Sequence, residues 1–109
     1  MKRGEIWTVA GGRGYAGKPR PAVILQADEF DRTDSITICL MTTAPIDAPA
    51  FRIAIVATPE SGLRQGSFAM VDKVNTVERQ RLGERVGTVR TADMALIDIA
   101  LITFLGITD

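Results

Sequence analysis

The chain is organised around the stretch Gly17-Lys18-Pro19-Arg20-Pro21-Ala22-Val23-Ile24-Leu25-Gln26, which joins a glycine-rich basic segment to an apolar run. Residues 22–25 are apolar, partly β-branched and preceded by proline, which predicts a buried strand. Pro19 and Pro21 restrict their own φ angles and push the residue before each of them toward extended geometry. Arg20 is therefore held on a stiff backbone, where its guanidinium is a fixed anion-binding group. The alternative is an ordinary loop arginine before a strand.

Other short runs also predict strands. They cover residues 5–9, 35–43, 51–55, 67–71 with a continuation through 72–77, and 85–89. Residues 28–31 predict a short polar turn. Many short strands separated by turn residues are typical of a small barrel. The sequence therefore predicts a mainly β fold.

One helix is predicted at the C-terminal end, with Thr91 as its N-cap and Gly106 as the residue that stops it. Its apolar residues form one helical stripe made of Met94, Ile97, Leu101, Phe104 and Leu105. Leu96, Ile99 and Ile102 lie outside that stripe, so the helix lacks the polar face of an ordinary surface helix. Packing against a second copy of the chain explains this pattern, and a homodimer is favoured. The alternative is a helix buried in its own core.

Composition excludes several classes of chemistry. A chain of 109 residues is predicted to form one domain, residues 1–109. It contains no histidine and one cysteine, Cys39, which excludes a disulfide framework, the usual zinc sites, and Ser-His or Cys-His catalytic pairs. No metal or cofactor is expected. No apolar run is long enough to span a bilayer and no signal peptide is visible, so a cytoplasmic protein without membrane association is expected.

The formal net charge is zero, but its distribution is uneven. Residues 1–20 carry five basic side chains against one acidic, and residues 71–90 carry five against three. Residues 26–50 carry five acidic side chains against one basic. Two basic segments that converge would form a phosphate-binding patch, since a patch acts only over about a Debye length of ~8–10 Å. The alternative is a set of ordinary solvated charges.

Residues 11–17 contain four glycines, which disfavour both helix and strand. This segment carries Arg13 and Tyr15, and Lys18 follows it. A cation and an aromatic ring on a glycine-rich loop suit single-stranded nucleic acid, because the backbone approaches phosphate while the ring stacks on a base. The alternative is a hairpin connection without a binding role.

Arg20 and Thr42 are the candidate catalytic residues for reaction at a phosphodiester. They stand at the head of one predicted strand and near the end of the next. RNA supplies its own 2′-OH nucleophile, so the protein needs to position the substrate, accept a proton and donate to the charged phosphorane. Thr43 is the rival hydroxyl, and Thr42 could instead satisfy its own backbone.

The chain resembles the MazF/PemK toxins of bacterial toxin–antitoxin pairs. The motifs that carry the resemblance are Met1-Lys2-Arg3-Gly4-Glu5-Ile6-Trp7, Lys18-Pro19-Arg20-Pro21-Ala22-Val23-Ile24, Leu40-Met41-Thr42-Thr43, Val71-Asp72-Lys73-Val74-Asn75-Thr76-Val77, Arg81-Leu82 and Phe104-Leu105-Gly106-Ile107. The resemblance implies a small SH3-like barrel (MazF/PemK/CcdB-like) that dimerises, cleaves single-stranded RNA such as mRNA without a metal, and is inhibited by a cognate antitoxin. It implies Arg20 and Thr42 as the active pair, with Lys73 and Thr76 facing the substrate.

The resemblance has one departure, at Gly14. Many relatives carry serine or histidine about six residues before the active arginine, and Tyr15 could supply the missing hydroxyl here. One alternative function is a CcdB-like gyrase poison, although that family's terminal tryptophan is replaced by Leu105. The other is an RNA-binding module without activity.

Overall fold

The computed structural model describes residues 1–10 and 18–107. The strands are β1 (Glu5–Val9), β2 (Arg20–Ile24), β3 (Ser35–Thr42), β4 (Arg52–Ile55), β5 (Ser67–Glu78) and β6 (Leu82–Thr88). One α-helix, α1 (Thr91–Phe104), follows them. Short 3₁₀ turns span Asp28–Phe30 and Arg79–Arg81. The mainly β class with a C-terminal helix is therefore confirmed.

The six strands form one antiparallel sheet in the order β4-β5-β3-β2-β1-β6. Among the described residues, no β4–β6 ladder closes this sheet. Instead, the connection after β4 lies against β6, where the Thr88 N–H donates to the carbonyl of Glu60 at 2.8 Å. Gly87 makes this approach possible, since a Cβ there would lie 2.3 Å from the carbonyl oxygen of Ser61. The connection thus spans the two sheet edges and gives the fold its barrel-like shape.

Two apolar layers lie on the two faces of the sheet. The first packs under α1 and contains Ile6, Val23, Leu25, Cys39, Met41, Ile53, Ile55, Ala69, Val71, Val89, Ile97 and Ala100. The second contains Val9, Ala22, Ile24, Ile36, Ile38, Leu40, Met70, Val77 and Leu82. Strand β3 contributes alternate residues to both layers and is buried on both faces.

Strand boundaries differ from the sequence predictions by one to three residues, most at the beginnings of β2 and β6. Strand β2 begins at Arg20 and ends at Ile24, two residues before and one residue before the predicted bounds. The predicted continuation of the strand at 67–71 through residue 77 is confirmed, since residues 67–78 form one continuous strand. Strand β6 begins at Leu82, because residues 82–85 pair with β1 despite their polar side chains. The ends of β2 and β6 are determined by backbone pairing with β1, which is distant in sequence from β6 and so leaves no local signal.

The ends of α1 test two predictions. The helix begins at Thr91 and Arg90 occupies the cap position without a side-chain cap, so the prediction of Thr91 as N-cap was wrong. Gly106 has φ +72° and its N–H donates to the carbonyl of Thr103 at 3.2 Å. The Ile107 N–H donates to the carbonyl of Ile102 at 2.9 Å. These two bonds form a Schellman motif, which confirms Gly106 as the helix stop.

The faces of α1 are apolar on more than one side. Ile97 and Ala100 are buried against the sheet, whereas Ile99 is 61% exposed. Leu96 and Ile102, which lie outside the predicted stripe, are also exposed in the single chain. The predicted apolar stripe was wrong in its last turn, because Phe104 and Leu105 were placed in it but are exposed. Buried positions stop at Ala100, so that turn projects past the sheet.

In residues 1–10 and 18–107, no helix has both the length and the apolar character needed to cross a membrane.

Candidate active site at the ends of two strands

Arg20 and Thr42 are brought to the same end of the sheet. Strand β2 begins with Arg20 and β3 ends with Thr42. Their antiparallel ladder pairs Ala22 with Leu40 and Val23 with Cys39. Continuing this register by two residues sets Arg20 opposite Thr42 on the adjacent strand, at the usual strand spacing of about 4.8 Å.

Both residues share one face of the sheet. Side chains alternate along a strand, so Arg20 points the same way as Ala22, and Thr42 the same way as Leu40. Ala22 and Leu40 belong to the second apolar layer. On its other side Arg20 pairs in register with the buried Val9 of β1. The exposed Arg20 therefore lies at the edge of the second apolar layer, beside the buried residues Val9 and Ala22.

The Thr42 hydroxyl is oriented by its own turn. Its Oγ1 accepts a hydrogen bond from the backbone N–H of Ala44 at 3.1 Å. Because a hydroxyl has one proton and two lone pairs, this contact leaves the proton available to an external acceptor. Thr43, the rival assignment, lines a separate depression of about 380 Å³ together with Thr8 and Pro21. Thr8 and Pro21 pair on the face opposite that of Arg20.

The row that contains Arg20 and Thr42 continues across two further strands. Thr42 pairs with Phe68 on β5, and Phe68 pairs with Ala54 on β4. Residues paired in register lie on the same face. An aromatic ring thus lies one strand away from Thr42. Phe68 is not among the residues predicted from the sequence, since only the ladder register relates positions 42 and 68.

Asp72 forms an ion pair with Arg52. The guanidinium donates from Nε to Oδ1 at 2.8 Å and from Nη2 to Oδ2 at 3.1 Å, a two-point geometry. The hydrogen bond from Arg52 lowers the pKa of Asp72, against a smaller opposing effect of burial. The sequence alone offers Lys73, the next residue, as a surface partner for Asp72. Strands β4 and β5 bring Arg52 to Asp72 as its ion-pair partner.

The other predicted substrate-binding residues that the structure describes do not all lie near Arg20 and Thr42. Lys18 is exposed two residues before Arg20, and Lys73 is exposed on β5. Thr76 pairs with Thr37, and their hydroxyls are 3.3 Å apart. Thr37 lies five residues from the end of β3 that carries Thr42, and on the opposite face by strand alternation. The fold therefore does not bring Thr76 to this site within one chain.

The predictions for Arg13, Gly14 and Tyr15 lie outside the described residues. The same applies to the comparison with the loop serine or histidine of the MazF/PemK toxins, because it concerns position 14.

Three arginines of the basic segment 71–90, namely Arg79, Arg81 and Arg85, make contacts within the chain. The Arg79 guanidinium donates to the carbonyls of Thr33 and Asp31, which ties the 3₁₀ turn after β5 to the loop before β3. Arg81 donates to the carbonyl of Ala10 at 2.8 Å. Arg85 pairs with Glu5 at 3.2 Å. These contacts give all three arginines structural roles.

The Glu5 carboxylate is held as an anion by its surroundings. Burial raises its pKa, but hydrogen bonds from the Lys2 N–H and the Trp7 indole, together with Arg85, outweigh burial and lower the pKa overall. Glu5 therefore supports the N-terminal strand.

In residues 1–10 and 18–107, no three or more cysteine or carboxylate side chains are grouped as metal ligands.

Comparison with known sequences gives a family. The chain matches, over residues 2–105, the model of the "PemK-like, MazF-like toxin of type II toxin-antitoxin system". It is 50% identical over 107 residues to the probable endoribonuclease MazF of Mycolicibacterium smegmatis, covering 98% of each chain. It is 31% identical over 110 residues to the endoribonuclease MazF9 of Mycobacterium tuberculosis, covering 93% of this chain and 92% of that protein.

Comparison with solved structures supports the fold. A mycobacterial endoribonuclease in complex with its cognate antitoxin superposes with a TM-score of 0.81 at 24% identity, covering 100% of this chain and 98% of that one. A MazE-MazF structure from Deinococcus radiodurans gives a TM-score of 0.78 at 17% identity, covering 97% and 96%. Taken with the sequence matches, these findings show that the chain belongs to the PemK-like, MazF-like toxins of type II toxin–antitoxin systems.

Proposed function

We propose that this chain is an endoribonuclease that cleaves single-stranded RNA, including mRNA, in the cytoplasm without a metal ion or cofactor. The substrate's 2′-oxygen forms a bond to the adjacent phosphorus, and the bond from phosphorus to the 5′-oxygen breaks. The products are a 2′,3′-cyclic phosphate and a 5′-OH, which receives a proton in exchange for the one lost from the 2′-OH. Two relatives named as endoribonucleases support the cleavage of RNA, while the course of the reaction is part of the proposal.

The observation that carries the proposal is the juxtaposition of Arg20 and Thr42 across the β2–β3 ladder. The guanidinium is always charged and offers a planar set of donors to the non-bridging oxygens of the phosphorane. The Thr42 hydroxyl donates to the same group, with its lone pair held by Ala44. Fixed donors aimed at developing charge contribute most of their effect in the transition state, at roughly 10²–10³ in rate for each donor.

Binding of the RNA strand is assigned to cations and polar groups around this pair. Lys18 and Lys73 are exposed and supply phosphate contacts. Thr43, Arg13 and Tyr15 are proposed as further contacts from the segments that flank the pair.

The test is cleavage of a long single-stranded RNA in the presence of EDTA. Wild-type protein is expected to cut it, and Arg20→Ala is expected to reduce the rate by at least about 10²-fold. Arg32→Ala is the matched control, because it removes an exposed arginine at the opposite end of the β2–β3 hairpin. Sequencing of the cleaved ends checks for the cyclic phosphate and the 5′-OH. Unchanged cutting by Arg20→Ala would contradict the site, and a wild type that binds RNA without cutting would make the chain an inactive module.

The hydroxyl assignment needs its own comparison. Thr42→Val removes the donor with little change in shape, and is expected to slow cleavage far more than Thr43→Val does. Thr42→Ser retains the hydroxyl and is expected to retain most of the rate. Reversal of the order between positions 42 and 43 would transfer the role to Thr43.

A homodimer is the proposed assembly, with the exposed face of α1 as the contact. Leu96, Ile99 and Ile102 recur at helical spacing on this face, and Leu105 and Ile107 extend it. A charged side chain on the same helix, Asp98, is paired with Arg3 of its own chain. The occupant proposed for this face is a second copy, since an apolar patch of this kind is self-complementary about a two-fold axis.

Sedimentation equilibrium tests the dimer. Ile99→Glu is expected to shift the protein toward the monomer, whereas Val56→Glu, at a 55% exposed residue beyond the end of β4, is expected to leave the mass unchanged. A wild-type monomer at micromolar concentration would contradict the assembly.

A cognate antitoxin is the proposed protein partner. A structural neighbour is a mycobacterial endoribonuclease solved in complex with its cognate antitoxin, and another is a MazE-MazF structure. An acidic segment of the antitoxin would inhibit by competing with RNA phosphates for the cations around Arg20. The family match favours this function over that of a gyrase poison.

A further inference from the structure

The aromatic ring at position 68 is placed in line with the candidate active pair. Arg20, Thr42 and Phe68 occupy one row across β2, β3 and β5, because Phe68 pairs in register with Thr42. Two strand spacings of about 4.8 Å separate the first and last members of this row. A nucleotide next to the phosphodiester held between Arg20 and Thr42 would therefore lie over Phe68.

The surroundings of Phe68 leave room for a ligand. The residue lines a depression of about 390 Å³ on one side and another of about 360 Å³ on the other. Both volumes lie in the range of small-molecule sites. Within the described ranges the one close ring pair is Phe51 with Phe104, so the Phe68 ring is not stacked on another aromatic there.

The larger depression also contains a fixed cation. Arg52 lines this depression. Arg52 and Ala54 are two residues apart on β4 and therefore lie on the same face, and Ala54 pairs with Phe68. Arg52 thus shares a face with Phe68. Asp72 holds two of the five guanidinium N–H groups, which fixes the orientation of the plane. The remaining N–H groups can donate to acceptors on a base edge. A ring beside an oriented donor set is the combination that proteins use to bind an unpaired base.

We infer that Phe68 and Arg52 form a nucleobase subsite for the nucleotide adjacent to the scissile phosphodiester, with stacking on the Phe68 ring as its main contact. This subsite rests on the proposed RNA substrate. It contributes to the choice of cleavage sequence through stacking and through donation to base acceptors.

Binding of uncleavable RNA tests the subsite apart from the chemistry. The probes are 2′-O-methyl RNA nonamers of A, U and C, which lack the attacking hydroxyl. Phe68→Leu, which keeps an apolar side chain but removes the ring, is expected to weaken binding by about 5- to 150-fold, the range of base–aromatic stacking. Phe68→Trp is expected to retain affinity. Phe30→Ala is the matched control, since it removes a 57% exposed ring at the other end of the β2–β3 hairpin.

Abasic nonamers locate the contact. Each nonamer lacks the base at one position. Wild type and Phe68→Leu are expected to have equal affinity for the nonamer that lacks the base stacked on Phe68, and different affinities for all the others. Equal affinity of Phe68→Leu and wild type for the intact nonamers would overturn the subsite, as would a deficit that no abasic position removes. If wild type cuts RNA in EDTA while Phe68→Leu binds normally, the subsite fails and the proposed function stands. If wild type neither cuts RNA nor binds the nonamers, both fail.

Discussion

Replacing Asp72 by asparagine tests the electrostatic support beneath the candidate subsite. In the native chain the carboxylate receives two hydrogen bonds from Arg52, at 2.8 and 3.1 Å. The amide introduced by Asp72→Asn keeps one acceptor, loses the negative charge and turns an NH₂ group toward the guanidinium. Arg52 is then left with an incomplete partner in a partly desolvated position.

The expected cost follows from the exposure of the pair. The side chains of Arg52 and Asp72 are 11% and 20% exposed. Exposed ion pairs contribute about 0–1 kcal/mol, whereas removal of one member of a fully buried pair costs about 3–5 kcal/mol. This pair lies between those limits, so the free energy of unfolding should fall by about 2–3 kcal/mol. For a domain of this size that corresponds to a Tm lower by roughly 10 °C.

The effect depends on pH in a defined direction. The hydrogen bond from Arg52 lowers the pKa of Asp72 in the folded state. The stabilisation is therefore fully present above the unfolded value of about 3.9 and is lost as pH falls through the lower, folded pKa. The difference between wild type and Asp72→Asn should be constant from about pH 7 to pH 5 and should shrink below about pH 4.

Urea denaturation at about pH 7, 5, 4 and 3.5 measures this difference across that window. Asp47→Asn is the control, because Asp47 is exposed and its replacement should change stability by less than about 0.5 kcal/mol. A difference of that small size for Asp72→Asn at neutral pH would refute the reasoning. So would a large difference that persists unchanged at the lowest pH, since the pair could not then be its origin.

Three other substitutions or reactions have expected outcomes. Gly87→Ala should lower stability by about 1–3 kcal/mol in urea unfolding, because its Cβ would lie 2.3 Å from the Ser61 carbonyl oxygen, whereas Gly66→Ala meets no atom closer than 4.0 Å and serves as its control. Gly106→Ala should cost about 1 kcal/mol through its φ of +72° alone, with no steric clash. The Cys39 thiol, whose pKa burial raises to about 12, should react with Ellman's reagent only at the rate of unfolding; fast reaction of folded protein would contradict its burial.

Local patterns in the sequence were sufficient for most of the secondary structure. Alternation and turn residues predicted the strands, and the Gly106 stop of the helix is visible in the sequence because a left-handed residue is a local requirement. The polar start of β6 was not predictable in this way. Its pairing with β1 depends on a partner more than seventy residues earlier in the chain.

The candidate site was predictable only in part for the same reason. Proline restriction and strand ends in the sequence pointed to Arg20 and Thr42, and the ladder register then set them opposite each other. Register relations that sequence cannot supply brought Arg52 to Asp72 and Phe68 to Thr42. The pairing of β5 with β3 sets Thr76 beside Thr37, five residues from the Thr42 end of β3, so Thr76 lies away from the candidate pair within one chain.

The double burial of β3 has a consequence for how its alignment is maintained. In a strand with one wet side, sliding by a single residue would expose the hydrophobic set and is strongly opposed. A one-residue register shift of β3 would place one set of apolar side chains where the other set was, so the burial pattern alone opposes such a shift only weakly. The register shift between Cys39 and Met41 in the β3–β5 pairing fixes the alignment of the two strands. An insertion or deletion beside Cys39 and Met41 could leave the core filled while carrying the Thr42 hydroxyl to the wrong side of the sheet.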